Sequence, residues 1–153
     1  MKRRNAIQMT PRERQEFLQQ TKTIILSTID RRGYPHSVPM WFEMDGPTFL
    51  MTTYVKSQKA VNIGRNPKVA LMAEAGETYD QLRGVLVRGR AELVRDVEAC
   101  VAILLRVHQK MAGAPLPPGA DAALRAQAAK RVLIKVTPER VSSWDHRKLG
   151  GVY

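Results

Sequence analysis

Cysteine is almost absent from this sequence, since Cys100 is the single one among 153 residues. One cysteine cannot form a disulfide within the chain, which excludes the disulfide-stapled class of small secreted domains. Its apolar neighbours in the segment CVAILL favour a buried, inert thiol over a nucleophile. With 44% apolar residues, the chain is predicted to be a cytoplasmic protein of one domain, stabilised by an ordinary core.

Long apolar runs and catalytic motifs are missing as well. No segment approaches the roughly 20 apolar residues of a membrane span, and the basic N-terminus lacks the apolar core of a signal peptide. The histidines His36, His108 and His146 are scattered, so no zinc site is predicted. Without G-x-S-x-G, G-x-G-x-x-G or P-loop motifs, a triad hydrolase and the usual dinucleotide and triphosphate cradles are disfavoured.

Acidic residues are scarce, with 14 Asp and Glu against 25 Lys and Arg, which gives a net charge of +11. Such a surplus attracts an anionic partner, and nucleic acid is the first candidate. Aromatic residues make up only 6% of the chain, however, and no zinc-finger, helix-turn-helix or RNA-binding signature is present. These features disfavour a nucleic-acid partner, and the same positive field would attract a polyanionic small molecule.

Segment 49–68 is the part of the sequence on which the interpretation of the other segments depends. It predicts a strand over 49–55 and then a short helix, for which the Ser57 hydroxyl is a suitable N-cap. Gly64 is expected to follow the last turn in the left-handed conformation, and Pro67 cannot continue the helix.

The charge of this helix start is unusual. Lys56, Lys59, Arg65 and Lys68 are basic, and no acidic residue lies among them. A cation near a helix N-terminus is unfavourable by roughly 0.3–1 kcal/mol. Free N–H groups, a capping hydroxyl and a lysine ammonium together are typical of a phosphate site. A solvated basic helix end is the alternative interpretation.

These residues resemble the motif of a known family. A strand with two threonines, followed by S-x-K-x-x-N and then N-P, is similar to the flavin and deazaflavin split-barrel family. That family includes the pyridoxamine-phosphate-oxidase-like proteins and the F420-dependent oxidoreductases. The matching residues are Thr52, Thr53, Ser57, Lys59, Asn62, Asn66 and Pro67.

The resemblance implies a cofactor site. In such proteins this turn holds the cofactor phosphate, which assigns Ser57 and Lys59 to the phosphate with Lys56 and Asn62 in support. Segment 36–41 would lie along the ring, although two prolines also suit an ordinary edge strand. The residues assigned to line the cofactor ring are His36, Val38, Pro39, Met40, Trp41, Thr52 and Thr53. Trp144 is expected to stack near the ring. The residues expected to meet further negative charge of the cofactor are Arg65, Lys68, Arg147 and Lys148.

The fold predicted from pattern and resemblance is mainly β (α+β), a single six-stranded split β-barrel with peripheral helices. Thr10, Pro11 and Glu13 predict a helix start with a capping box. The single domain spans 1–153, with an N-terminal helix in 1–20, a helical insertion in 96–130 and a C-terminal tail in 143–153. Strands are expected at 23–29, 34–43, 49–55, 69–74, 81–94 and 131–137, followed by 139–144.

The resemblance implies an F420-dependent oxidoreductase that passes a hydride between F420 and a small organic substrate. FMN in place of F420 is the alternative cofactor. A non-catalytic flavin or haem carrier and a basic nucleic-acid binder are alternative classes. A homodimer with its cofactor site at the interface is also implied. The proton donor is open among Tyr54, Tyr79 and His36.

Overall fold

The computed structural model describes residues 2–151 of the chain. Five α-helices occur there: α1 Arg3–Ala6, α2 Pro11–Gln20, α3 Gln58–Arg65, α4 Val97–Ala112 and α5 Ala120–Ala128. The strands are β1 Thr23–Ile29, β2 Pro35–Trp41, β3 Glu43–Asp45, β4 Thr48–Tyr54, β5 Lys68–Ala75, β6 Arg83–Val94 and β7 Arg131–Asp145. Short 3-10 turns cover Tyr79–Gln81 and His146–Leu149.

All seven strands form one antiparallel sheet in the order β2-β1-β5-β6-β7-β4-β3. The two edge strands, β2 and β3, are consecutive in the chain and only Phe42 separates them. Because Cα atoms two residues apart lie at most about 7 Å apart, the two edges must meet there. The sheet therefore curls into a barrel, and the predicted split-barrel class is confirmed.

The strand count differs from the predicted six because the expected strand over 34–43 is two strands. Phe42 interrupts it, and β3 then pairs with β4 rather than with β1. At the other end of the chain, the two segments expected over 131–137 and 139–144 are one strand, β7. A register shift beside Gly89 lets this strand bend while it stays paired with β6.

The barrel interior is filled by alternate residues of the strands, as the period-2 pattern of β-structure requires. Helix α2 adds Phe17 and Leu18 to this core. The strand residues Ile24, Leu26, Phe49, Met51, Leu71, Val85, Val87, Ile134 and Val136 all belong to it.

Helices α4 and α5 cover the outer face of β4 and β7. Leu50 and Leu133, whose neighbours along each strand point inward, pack there against Cys100, Leu104 and Val107 of α4. Cys100 is fully buried, as the sequence predicts, and burial raises the pKa of its thiol. Within the described residues, no helix has the length and apolar composition to cross a bilayer.

The helix ends follow local chemistry. Thr10 and Glu13 form the predicted capping box at the start of α2. The prediction for Gly64 is wrong, because this residue lies inside α3 and the helix continues to Arg65. The Asn66 N–H still donates to the Asn62 carbonyl, but the backbone of Asn66 is already extended, as the following Pro67 requires.

We expect Phe42→Ala to lower the free energy of unfolding by about 3–5 kcal/mol. Its ring is fully buried, lies 6.0 Å from the Phe49 ring and has the Lys110 ammonium 4.1 Å above it. Denaturant unfolding measures the change. Tyr34→Ala is the control, since Tyr34 is 69% exposed in a turn. A loss at Phe42 as small as the loss at Tyr34 would contradict a role in joining the edges.

Candidate functional site

A cleft of about 400 Å³ opens where the end of β4 meets β2 and the helices α4 and α5. Most of the strand residues that line the cleft lie on the outer face of the barrel, as Leu50 and Leu133 do. Thr53 and Met40 are the exceptions, because their positions face the interior. The lining residues are Pro39, Met40, Trp41, Thr52, Thr53, Tyr54, Lys59, Leu104, Val107, His108, Gln127 and Arg131.

Hydroxyl groups and one ammonium converge at the start of α3. The Ser57 Oγ accepts hydrogen bonds from the Ala60 N–H at 3.3 Å and from the Thr53 hydroxyl at 3.1 Å. The Lys59 Nζ donates to the Thr53 Oγ1 at 3.2 Å. Since Ser57 accepts twice here, its own proton is available to an anion beside the helix. The predicted capping by Ser57 is confirmed.

Arg131 is a site residue that the sequence reasoning missed. Strand pairing places it directly opposite Tyr54, and its guanidinium lies 4.5 Å from the centre of the Tyr54 ring. Its Nη1 is 3.4 Å from both the carbonyl and the hydroxyl of Thr52, whereas its buried Nε has no partner. Only the β4–β7 register reveals this position, because the two residues are distant in sequence.

The cleft carries positive charge that no acidic side chain neutralises. Lys59 and Arg131 both line it, and its lining contains no Asp or Glu. Burial, and then the charge of Arg131, lower the pKa of Lys59 below its ordinary value of 10.5. The cleft therefore contains two cations that repel each other and the buried Nε–H group of Arg131, which has no partner. A phosphate or a similar anion could bind to all three groups.

Apolar and aromatic groups form the other walls. Leu104 and Val107 come from α4, and the Trp41 ring meets the His108 ring edge-on with the centroids 5.8 Å apart. A flat organic ring next to an anionic group would suit such walls. The sequence gives no metal-binding spacing around His108, and its place in this cleft follows only from the packing of α4.

Asn62 lies on the face of α3 that contacts β1, and it does not line the cleft. It is fully buried, its Nδ2 donates to the Thr28 Oγ1 at 3.0 Å, and its Oδ1 accepts from Gln58 and Arg65. Arg65 also donates to the carbonyl of Ile29, so it ties α3 to β1. These bonds fix the orientation of α3, and direct contact of Asn62 or Arg65 with a cofactor stays a prediction.

Only part of the predicted ring-binding segment lies in the cleft. Pro39, Met40 and Trp41 line the cleft, whereas His36 and Val38 do not. The His36 Nδ1 is buried and has no hydrogen-bond partner. Lys56 is exposed and does not line the cleft.

The tail residues lie at the opposite end of β7 from Arg131. Trp144 packs over Gly84, Arg147 forms an ion pair with the Asp145 carboxylate at 2.6 Å, and Lys148 donates to Glu13 at 2.7 Å. The hydrogen bond from Arg147 holds the pKa of Asp145 below its usual range. One chain therefore does not bring Trp144, Arg147 and Lys148 to the cleft.

Of the three candidate proton donors, Tyr54 alone lines the cleft. Tyr79 instead contacts the ring of His146 at 4.5 Å. Within residues 2–151, no group of three His, Cys, Asp or Glu side chains is arranged to hold a metal ion.

Comparison with protein families gives a match over most of the chain. The profile described as pyridoxamine 5'-phosphate oxidase matches residues 10–145. No curated protein matches this sequence.

Solved structures share the fold over nearly the whole chain. A conserved hypothetical protein from Mycobacterium tuberculosis is 37% identical, with a TM-score of 0.91, and the match covers 100% of this chain and 95% of that one. A structure described as F420 reductase is 32% identical, with a TM-score of 0.66 and coverage of 84% and 94%. The haem storage protein HutZ from Vibrio cholerae is 21% identical, with a TM-score of 0.67 and coverage of 87% and 94%, which is a likeness of fold.

Proposed function

We propose that this chain, which belongs to the pyridoxamine 5'-phosphate oxidase family, is an oxidoreductase that uses the deazaflavin cofactor F420. The observation that carries the proposal is the cleft in which Lys59 and Arg131 face no carboxylate. The likeness to the F420 reductase structure supports the choice of cofactor. FMN is the alternative occupant of the same cleft.

Different residues bind different parts of the cofactor. Lys59, which lines the cleft, and Ser57, which adjoins it through a hydrogen bond from Thr53, hold the phosphate. Arg131 adds a second cation whose position is fixed by Tyr54 and Thr52. The apolar walls of Leu104, Val107 and Trp41 orient the ring and exclude water from it. When bound, the deazaflavin supplies the hydride transfer to or from a small organic substrate.

F420 is favoured over FMN by the distribution of charge around the cleft. Lys56, Arg65 and Lys68 add exposed cations along and beyond α3, and no acidic residue lies between Lys56 and Lys68. A phosphodiester followed by glutamate carboxylates would meet this charge over a longer path than one phosphate monoester does. A cytoplasmic location stays a prediction.

A fluorescence titration of the purified protein with F420 and, separately, with FMN tests the proposal at moderate salt. We expect F420 to bind more tightly, and a screen of acceptors with reduced F420 then tests for turnover. Tighter FMN binding would favour the oxidase-like alternative. If neither binds, or if random-sequence DNA binds more tightly in a salt-sensitive way, the cofactor proposal is wrong.

Replacing both phosphate-holding side chains should weaken cofactor binding. We expect Ser57→Ala combined with Lys59→Ala to raise the dissociation constant at least about tenfold, because two hydrogen bonds to a charged oxygen are lost. Lys2→Ala is the control, since Lys2 is exposed, precedes α1 and does not line the cleft. Equal affinities for the wild type and the double variant would rule out the phosphate assignment.

Cofactor affinity should fall as the pH rises, because only the ammonium form of Lys59 attracts the anion. The lowered pKa of Lys59 makes this fall begin at a lower pH than it would for an exposed lysine. Lys59→Arg keeps its charge, so its affinity should stay level from about pH 7 to 10. Titrations across that range compare the two proteins, and parallel slopes would contradict a role for Lys59 ionisation.

A homodimer is the expected assembly. A row of apolar register partners crosses the outer face of four strands, and it consists of Pro39, Ile25, Met72 and Leu86. Helices α4 and α5 do not cover this row, because they lie on other strands. Met72 is 38% exposed, so the row offers apolar surface to a second copy. Light scattering should give a dimer mass for the wild type and a monomer mass for Met72→Glu. A monomeric wild type would exclude this assembly.

A further inference from the structure

A second cleft, of about 440 Å³, opens between helix α2 and the inner faces of β4, β6 and β7. The turn between β3 and β4 closes one side of it. None of its lining residues belongs to the first cleft, at Lys59, so the two clefts are separate in this chain. The lining residues are Pro11, Arg14, Gln15, Leu18, Gln19, Met44, Gly46, Pro47, Phe49, Val87, Pro138 and Val141.

The floor of this second cleft is part of the barrel core. Leu18, Phe49 and Val87 line it, and each of them is more than nine-tenths buried. Val141 is the register partner of Val87, so its side chain lies on the same side of the sheet, yet it is 37% exposed. The cleft therefore continues the apolar interior up to the surface, where an apolar ligand would release water from it.

Prolines make the walls of the cleft rigid. Pro11, Pro47 and Pro138 come from three separate segments, and the ring of each fixes its own backbone angle φ. Pro138 is the register partner of Gly89 at the bulge, where a Cβ atom at Gly89 would lie 2.5 Å from the Thr137 carbonyl oxygen. The close approach of the two strands therefore needs glycine. A cavity with such walls is formed before a ligand arrives, so little ordering opposes binding.

One cation lies at the edge of this apolar surface. Positions 11, 14, 15, 18 and 19 follow the spacing of one helix face, and α2 turns that face towards the cleft. Among the described residues that line the cleft, Arg14 alone is charged. It is partly buried and forms no ion pair within the described chain, and its Nη1 lies 3.5 Å from the Met9 carbonyl. Most of the five donors of its guanidinium therefore remain for an anion.

We propose that this cleft binds a small carboxylic acid with a compact apolar body. The apolar body covers Phe49, Val87 and Val141, and its burial supplies most of the affinity. The carboxylate pairs with Arg14, which selects an acid over an uncharged molecule of the same shape. This site does not depend on the cofactor, because the two clefts share no residue.

Isothermal titration calorimetry on the purified protein without cofactor tests the site. Phenylbutyrate is the acidic probe, and phenylbutanol is its uncharged counterpart with the same ring and chain. We expect phenylbutyrate to bind at least about tenfold more tightly, because only its carboxylate pairs with Arg14. In methyl NMR spectra, phenylbutyrate should shift the signals of Leu18, Val87 and Val141, and leave Leu133 under α4 unchanged.

Arg14→Gln should raise the dissociation constant of phenylbutyrate at least about tenfold and change that of phenylbutanol less than about twofold. Arg12→Gln is the matched control, since it removes the same charge from the same helix. The Arg12 side chain is 88% exposed and does not line the cleft, so the affinity should change less than about twofold.

Two further variants locate the site. Val141→Trp should fill the cleft and weaken the binding of both probes at least about tenfold, since the larger side chain occupies the space of the ligand. Ser57→Ala with Lys59→Ala should leave both affinities unchanged, because neither residue lines this cleft. Loss of F420 binding in that double variant with phenylbutyrate binding intact separates this site from the cofactor proposal.

Four results would overturn the inference. The first is the absence of saturable binding of phenylbutyrate to the wild type, and the second is equal affinity for phenylbutyrate and phenylbutanol. The third is an equal loss of affinity in the Arg12 and Arg14 variants. The fourth is a change of oligomeric mass in Val141→Trp, which would assign the cleft to contact with a second copy. Circular dichroism checks that each variant is folded.

Discussion

The single residue between β2 and β3 is the constraint on which this structure depends. Phe42 forces the two edges of the sheet to meet, and its buried ring and the overlying Lys110 hold that junction. The carbonyl of Phe42 accepts a hydrogen bond from Lys110 at 3.3 Å, so the junction is tied to α4 as well. Because Trp41 precedes the junction and α4 carries His108, this closure also brings the walls of the first cleft together.

Strand pairing, more than proximity in sequence, determines which charged side chains lie close together in this protein. Arg131 reaches Lys59 only because β7 pairs with β4, and Arg88 meets Arg140 only because β7 pairs with β6. In both places the sheet fixes cations close together in a concave surface without an acidic partner. Part of the net charge of +11 is thus concentrated at two points of the surface.

Local signals predicted much of the fold. The capping box at Thr10, the N-cap at Ser57 and the burial of Cys100 all depend on nearby residues, and each is confirmed. The predictions that failed needed long-range information. Phe42 ends a strand only because a different partner strand begins there, and Gly64 stays helical because Asn66 still completes the last turn.

The same distinction applies to the candidate site. The turn with Ser57 and Lys59 has a local motif, so the sequence is enough to predict an anion site there, and that assignment stays a prediction. Arg131 and His108 have no motif around them, and their roles depend on the β4–β7 register and on how α4 packs. The tail residues illustrate the opposite case, since the resemblance assigned them to the cofactor although one chain keeps them at the far end of β7.

The bonds that fasten Ile7 and Met9 to Asp145 and Ser143 place segments 7–9 and 143–145 side by side, although they are far apart in sequence. A short linker could therefore join these two segments, and the exposed loop 113–119 between α4 and α5 offers a place to open the chain. The region from β1 to β7 is thus suited to circular permutation. The permuted region would keep every strand pair, with new ends beside the helices that cover β4 and β7.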